Sequence, residues 1–336
     1  MQVYIRSIGS FLPPRVVSNE DIVALTGGTP EWIEERTGIR NRHFVDPGMT
    51  NSMLGEHAAR KALEAAGLSP KDLDVLLYAT LSPDAGFPGS GVFLQRHLDR
   101  PGIPALDIRN QCSGFLYGLS IARAWLLTGS YKRALLVGSE IHSTGLSFTE
   151  AGRTVASIFG DGAGAVILEA VEDSQSHTGG RILDVRLGAD GNGAEALWCE
   201  LPASGLHPNI DVSYLSEGRQ FPQMKSRSVF RHAVETLERE IGSLLADHGL
   251  QPDEILLVPH QSNKYMNLMV ADRLGIPPEN IVSTIENLAN TTAASLPIGL
   301  DHAMAQGRLH EGKPVVLAAF GSGYTWGCAL IQWPAA

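Results

Sequence analysis

Cysteine is scarce in this chain: Cys112, Cys199 and Cys328 are the only three in 336 residues. They stand too far apart for a CxxC zinc site and are too few for a disulfide framework, so each must be explained singly. There is also no unbroken apolar run of about 18 residues, the least a membrane-spanning helix needs. The N-terminal segment, Met1 to Pro13, alternates like a strand and lacks the basic opening and apolar stretch of a secretion signal. A cytoplasmic protein with no membrane contact is the expectation. Cations are in deficit, with 26 Lys and Arg against 36 Asp and Glu, a net charge of −10. That balance disfavours non-specific nucleic-acid binding and would repel an acidic protein partner unless a local basic patch received it. What is plentiful is core material: 43% hydrophobic and 18% charged residues in a chain long enough for two cores.

An internal repeat organises the chain. The first copy opens with a helix over 52–66, passes Gly67-Leu68-Ser69-Pro70 and enters the apolar strand Val75-Leu76-Leu77-Tyr78-Ala79. The second opens with a longer amphipathic helix in which Val229, Ala233, Leu237, Ile241 and Leu245 recur every four residues. It passes Gly249-Leu250-Gln251-Pro252 and enters Ile255-Leu256-Leu257-Val258. In both copies the glycine sits where a helix C-cap needs it, and the short apolar run reads as a strand covered by helices on both faces. Cys112 then opens a helix over 113–128 that leads to the strand 134–137, while Asn290 opens its counterpart over 292–306, leading to 315–318. Each copy closes on a glycine-rich turn, Phe159-Gly160-Asp161-Gly162-Ala163-Gly164 and Phe320-Gly321-Ser322-Gly323, into a further strand. The helix after Cys112 is apolar nearly all round, so it belongs between layers. The pattern predicts an α/β protein, a five-layer αβαβα sandwich of two mixed sheets in two pseudo-twofold halves. The halves are expected at 1–175 and 176–336, with a long connecting segment over about 176–225.

Three positions carry candidate chemistry. Cys112 lies between an expected strand, 105–108, and the N-terminus of the buried helix, where free N–H groups and the helix dipole favour a thiolate. The competing reading is an inert buried cysteine, which Cys199 and Cys328 receive because neither opens a helix. His260 follows the buried strand of the second copy, at the sheet end where active-site loops collect; otherwise it is a satisfied loop histidine. Asn290 occupies the repeat position of Cys112, so the pseudo-twofold brings the two helix starts toward one centre, with a simple N-cap as the alternative.

The segments around these positions resemble β-ketoacyl-ACP synthase III and related starter-condensing enzymes over almost the whole chain. They are Glu31-Trp32-Ile33 with Arg36-Thr37-Gly38-Ile39-Arg40, Cys112-Ser113-Gly114-Phe115, the Phe159 to Gly164 turn, Pro259-His260-Gln261-Ser262-Asn263, Asn290-Thr291-Thr292-Ala293-Ala294-Ser295, and Phe320-Gly321-Ser322-Gly323-Tyr324-Thr325-Trp326-Gly327. The resemblance implies a decarboxylating Claisen condensation. Cys112 would take an acyl group from acyl-CoA, malonyl-ACP would lose carbon dioxide, and neutral His260 and Asn290 would hold the enolate oxygen. Backbone N–H groups of Cys112 and Ser322 would form the oxyanion hole. It further implies Trp32, Arg36 and Arg153 at CoA, Asn263 in the active-site hydrogen-bond network, and Phe87 reaching across a homodimer interface to shape the acyl pocket. No metal and no cofactor beyond the thioester carriers is implied. Arg231, Lys264 and Arg273 are the expected basic patch for the acidic carrier protein. The chain departs from the family pattern at Asn110-Gln111, at Ser322, at Ala289 where glycine is usual, and at Tyr265 where many members carry arginine. The long inter-half segment and Gly86, Gly89 and Gly91 around Phe87 point to room for an acyl chain longer than acetyl.

Competing functions fit less well. A degradative thiolase needs a second cysteine near its C-terminal glycine turn, and Cys328 lies beyond that turn. An acyltransferase passing the Cys112 acyl group to another nucleophile would not require Asn290, and a non-catalytic carrier-binding partner would not require any of the three. The Gly160 to Gly164 cluster precedes an apolar strand and not a helix, so it reads as a hairpin turn, not a nucleotide loop.

Overall fold

The computed structural model describes residues 1–172, 177–310 and 312–333. The first half runs β1 (Gln2–Phe11), β2 (Arg15–Ser18), α1 (Asn19–Thr26), α2 (Pro30–Thr37), β3 (Asn41–Phe44), α3 (Asn51–Ala66), β4 (Val75–Ala79), α4 (Ser90–His97), β5 (Ala105–Ile108), α5 (Gly114–Leu127), β6 (Arg133–Glu140), α6 (Arg153–Ala156) and β7 (Gly162–Val171). The second runs β8 (Gly180–Ala189), β9 (Leu197–Trp198), α7 (Val212–Ser216), β10 (Gln223–Met224), α8 (Ser226–His248), β11 (Leu256–Pro259), α9 (Lys264–Leu274), α10 (Ile285–Leu288), α11 (Ser295–Ala305), β12 (Pro314–Gly321) and β13 (Thr325–Gln332). The expected domain boundary at 175/176 lies outside the described residues.

Side-chain alternation builds the layers. Along β4, Val75, Leu77 and Ala79 face the cluster that holds α5 and α11, while Leu76 and Tyr78 face α3. Along β12, Val315, Leu317 and Ala319 face the same central cluster, and Val316, Ala318 and Phe320 face α8 and α9. Outer helices, sheet, central helices, sheet and outer helices give the five layers of a thiolase-like sandwich. Phe115, Leu116, Leu119 and Leu126 of α5 are all 0% exposed, each adding about 2 kcal/mol of burial. The helix is apolar nearly all round because sheet covers it on both sides.

The strands pair as β5-β4-β6-β7-β1 in one half and β8-β13-β12-β11 in the other. Instead of staying two sheets, they are joined by two residue pairs, Tyr4↔Arg181 and Ile5↔Gly180, into one nine-stranded sheet. The repeat is visible in the pairing: β4 and β6 are parallel, as are β11 and β12, and the partner of β5 shrinks to a single parallel bridge, Leu257↔Ile281. Gly67 and Gly249 cap α3 and α8 in the left-handed conformation, as their positions in the sequence required.

The segment expected as connection begins with a full strand. Residues of β8 pair with β13 from Arg181↔Gln332 to Ala189↔Thr325. Its Asp184 and Arg186 obscure the apolar alternation, because they reach His248 and Asp247 at the end of α8. Among the described residues, no helix is long and apolar enough to cross a membrane.

Candidate active site

Both helix starts expected to carry chemistry are delayed by a tight turn. Cys112 sits in a 3-10 turn, Gln111–Ser113, before α5, and Asn290 precedes the corresponding turn, Thr292–Ala294, before α11. Gln111 ahead of the cysteine has φ +46° and Ala289 ahead of the asparagine has φ +55° with ψ −157°. Ala289 thus holds a backbone conformation that glycine adopts freely and other residues adopt at a cost of about 1–3 kcal/mol. The halves meet here: Asn290 donates its N–H to Ile158 O at 2.9 Å, and its own carbonyl accepts from Gly160 N at 3.0 Å. Gly138 permits the approach, since a Cβ there would lie 2.4 Å from the Ala293 carbonyl oxygen.

Cys112, His260 and Asn290 line one pocket of about 430 Å³. The Cys112 thiol faces the backbone N–H groups of Cys112 and Ser322, and a Cβ on Gly321 would sit 2.8 Å from the cysteine Cβ. Those two amides are the donors an oxyanion at the thioester carbon would meet. Ser113 Oγ donates to Thr325 Oγ1 at 2.8 Å, and Thr325 Oγ1 to Ser322 O at 3.1 Å, which ties the glycine turn to the cysteine turn.

The expected thiolate is corrected by the structure. Burial first and the nearby Glu140 carboxylate second push the Cys112 thiol up to about 12, outweighing the two amides. Glu140 is 0% exposed and accepts from Ser82 Oγ at 2.6 Å, Thr80 Oγ1 at 3.1 Å and Leu81 N at 3.2 Å. Burial moves its own carboxyl up to about 7. Replacing it in Glu140→Gln is expected to raise the rate of Cys112 alkylation by iodoacetamide at pH 8 by up to about tenfold, one pKa unit of thiolate. The gain should shrink at pH 6, where Glu140 is largely neutral already. Equal rates for both proteins at pH 8 would show that the thiol does not sense this carboxylate.

His260 is 3% exposed, and burial lowers its imidazole to about 3, so the ring is neutral. Its Nδ1 lies 2.6 Å from Ser295 Oγ, while Nε2 is buried without a hydrogen-bond partner among the described residues. Asn290 Oδ1 accepts from Thr292 N at 2.8 Å, leaving the amide nitrogen as the donor available to the pocket. Asn290 therefore caps its turn and keeps a donor for a ligand, so the two readings of it are compatible. Cys328, in contrast, is 0% exposed in β13 and absent from the pocket wall.

Comparison with known proteins identifies the family. Residues 106–191 match the family model described as 3-oxoacyl-(acyl-carrier-protein (ACP)) synthase III, and residues 245–333 match that for its C terminal part. A beta-ketoacyl-(acyl-carrier-protein) synthase III from Sphingopyxis alaskensis is 42% identical over 329 residues, 98% of each chain. The chain belongs to the β-ketoacyl-ACP synthase III family. The crystal structure of the Pseudomonas aeruginosa 3-oxoacyl-(acyl carrier protein) synthase III has a TM-score of 0.88 at 33% identity, covering 100% of this chain and 99% of that one. The priming β-ketosynthase of a polyketide biosynthetic pathway gives 0.87 at 30% identity, over 99% and 96%.

The other residues assigned from resemblance to the synthase III family are distributed unevenly. Trp32 and Arg36 line the pocket, and the Arg36 and Arg153 guanidinium carbons lie 4.8 Å and 5.9 Å from the Trp32 ring centre. Asn263 also borders the pocket, but its polar atoms are engaged elsewhere: Oδ1 caps α9 by accepting from Tyr265 N and Met266 N, and Nδ2 donates to Arg36 O at 2.8 Å. It ties the end of α2 to the start of α9. Phe87 is 91% exposed and absent from the pocket wall. Gly89 and Gly91 are explained without acyl space: a Cβ at either would strike the Asp107 carboxylate, which accepts from Gly91 N at 3.1 Å.

The basic patch is reduced. Lys264 pairs with Glu286 at 2.9 Å and Arg273 with Glu238 at 2.9 Å, leaving Arg231 as the exposed cation of the three outside these pairs. The acidic partners lie on other elements, where sequence spacing does not reveal them. Four wall residues were missed for a related reason. Leu197, Met224 and Arg227 belong to or follow the segment expected as connection, and Phe230 is the residue after Val229 in the periodic helix. Exposed Arg227 adds a cation to the wall that also holds Arg36, and no periodicity marks it.

Proposed function

We infer that this protein catalyses the priming condensation of fatty-acid biosynthesis, joining an acyl group from acyl-CoA to a malonyl unit carried on ACP, with release of CoA and carbon dioxide. The observation that carries the reading is the single pocket holding a thiol beside two backbone N–H groups together with the donors of His260 and Asn290. In the first half-reaction the Cys112 sulfur attacks the thioester carbonyl. Its carbon–sulfur bond to CoA breaks, and CoA departs with the thiol proton. Because the resting thiol is protonated, proton loss accompanies attack. In the second, the malonyl carbon–carbon bond breaks to release carbon dioxide, and its electrons form an enolate whose oxygen accepts from His260 and Asn290. The enolate carbon attacks the acyl carbonyl. The tetrahedral oxygen is held by the Cys112 and Ser322 amides until sulfur leaves and takes a proton from solvent.

Trp32, Arg36 and Arg153 are proposed to receive CoA, its adenine at Trp32 and Arg153 and its phosphate end at Arg36. Arg231, with Arg227, is proposed to meet the acidic carrier protein. A solvent-exposed Phe87 supports a homodimer in which this ring enters the partner's acyl pocket, and a cytoplasmic location fits these substrates. The test is intact-mass spectrometry after incubation with a series of acyl-CoAs. Wild type should gain one acyl group, Cys112→Ala none, and malonyl-ACP should discharge the adduct as 3-oxoacyl-ACP. Loading that malonyl-ACP leaves intact would point to transfer onto another acceptor, and no loading from any donor would remove Cys112 as the nucleophile.

A further inference from the structure

A neutral histidine donates from one ring nitrogen and accepts at the other, so its usefulness at an enolate oxygen depends on which nitrogen carries the hydrogen. Burial in this site keeps His260 neutral but does not choose between the two forms. Ser295 is the first residue of α11 and is 1% exposed. Its Oγ stands 2.6 Å from His260 Nδ1 and also accepts the Gln261 backbone N–H at 3.4 Å. A hydroxyl has one hydrogen. With a backbone N–H directed at its lone pair, that hydrogen is available to the imidazole, which makes Nδ1 the acceptor and places the ring hydrogen on Nε2. Nε2 is the atom left buried and unpartnered in the pocket wall shared with Cys112 and Asn290.

We propose that Ser295 is a positioning residue that selects the Nε2–H form of His260, so that the imidazole donates to the malonyl-derived enolate and does not act as a base toward Cys112. This rests on the reading of His260 as an enolate donor given above. It follows that Ser295 serves the decarboxylating half-reaction and leaves acyl transfer onto Cys112 untouched. A role in packing alone would affect both halves together.

The experiment is nitrogen NMR of histidine-labelled wild type, Ser295→Ala and Ser295→Thr, with acyl loading and malonyl-ACP decarboxylation measured separately. Wild type and S295T should show an unprotonated Nδ1 and a protonated Nε2. S295A should show a mixture of the two forms. Decarboxylation should fall between about tenfold and a thousandfold in S295A, with unchanged loading, and recover in S295T. A protonated Nδ1 in wild type would overturn the proposal, as would an S295A protein that keeps the wild-type tautomer and decarboxylation rate or loses both half-reactions equally. His260→Ala separates the levels of inference. If it retains full condensation, the donor reading of His260 fails; if it loses condensation while S295A is unaffected, the role of Ser295 alone fails.

Discussion

His260→Ala and Asn290→Ala proteins are expected to accept an acyl group onto Cys112 as wild type does, yet to condense it with malonyl-ACP about 10²- to 10³-fold more slowly. The size follows from removing one preorganised donor from a water-poor site, a loss of roughly 3–4 kcal/mol. The separation of half-reactions follows from geometry. The thiol is served by the Cys112 and Ser322 amides, which neither substitution removes. His260 and Asn290 supply side-chain donors, Nε2 of a neutral ring and the amide left over once Oδ1 has capped Thr292 N. Because both donors would hold one oxygen, the double variant should lose much less than the product of the single losses. The measurement is stopped-flow loading followed by release of labelled carbon dioxide from malonyl-ACP. Parallel loss of loading and decarboxylation in both variants would mean that His260 and Asn290 act on the thiol and not on the enolate.

Acid should unfold this protein steeply below about pH 4.5. His142 and His260 are buried, and each imidazole is lowered to about 3, His142 by burial and then by the neighbouring His260. A base whose folded pKa is depressed gives its full stabilisation above the unfolded value, near 6.5, and loses it as pH falls toward the folded value. The cost grows by about 1.4 kcal/mol per histidine per pH unit. Glu140 works in the other direction. Burial raises its carboxyl to about 7, so it destabilises the fold above pH 7 and relieves that strain as pH falls toward 4.5. Between pH 7 and 4.5 the histidines cost about 5 kcal/mol while Glu140 returns about 3 kcal/mol. Below pH 4.5 the carboxyl has nothing more to return, and the histidines alone give a slope of about 2.7 kcal/mol per pH unit down to pH 3. Carboxylates held low by cationic partners, Glu169 beside Arg133 and Arg6 and Glu286 beside Lys264, add to the acid loss. Urea unfolding from pH 7 to 3.5 measures the profile. His142→Gln should remove about half of the histidine slope, and an unchanged slope would show that His142 is not a source of it.

Much of the fold was legible because it rests on local rules. Five consecutive apolar residues in β4, the four-residue recurrence of Val229 to Leu245 in α8 and the glycines at 67 and 249 each specify an element through side-chain period or backbone freedom alone. The almost wholly apolar α5 announced a layer on either side of it, and the duplicated order of elements announced two halves. Legibility ended where a residue's behaviour depends on neighbours far along the chain. The strand β8 looked irregular because Asp184 and Arg186 answer to α8, and the docking cations looked free because Glu286 and Glu238 lie elsewhere.

The sequence by itself determined that Cys112, His260 and Asn290 would stand at the ends of buried strands or the starts of buried helices, since repeat and period dictate those places. Only the tertiary structure decided their chemical state. The helix start argued for a thiolate at Cys112, but a thiol enclosed by both halves and facing Glu140 holds its proton, because the cost of burying charge exceeds what two amides return. Likewise Ser295 is 35 residues from His260 in sequence, and the packing of α11 against β11 within the second half is what brings its hydroxyl to Nδ1. Charge state and tautomer depend on through-space distance and exclusion of water, and neither quantity is written in the order of the residues.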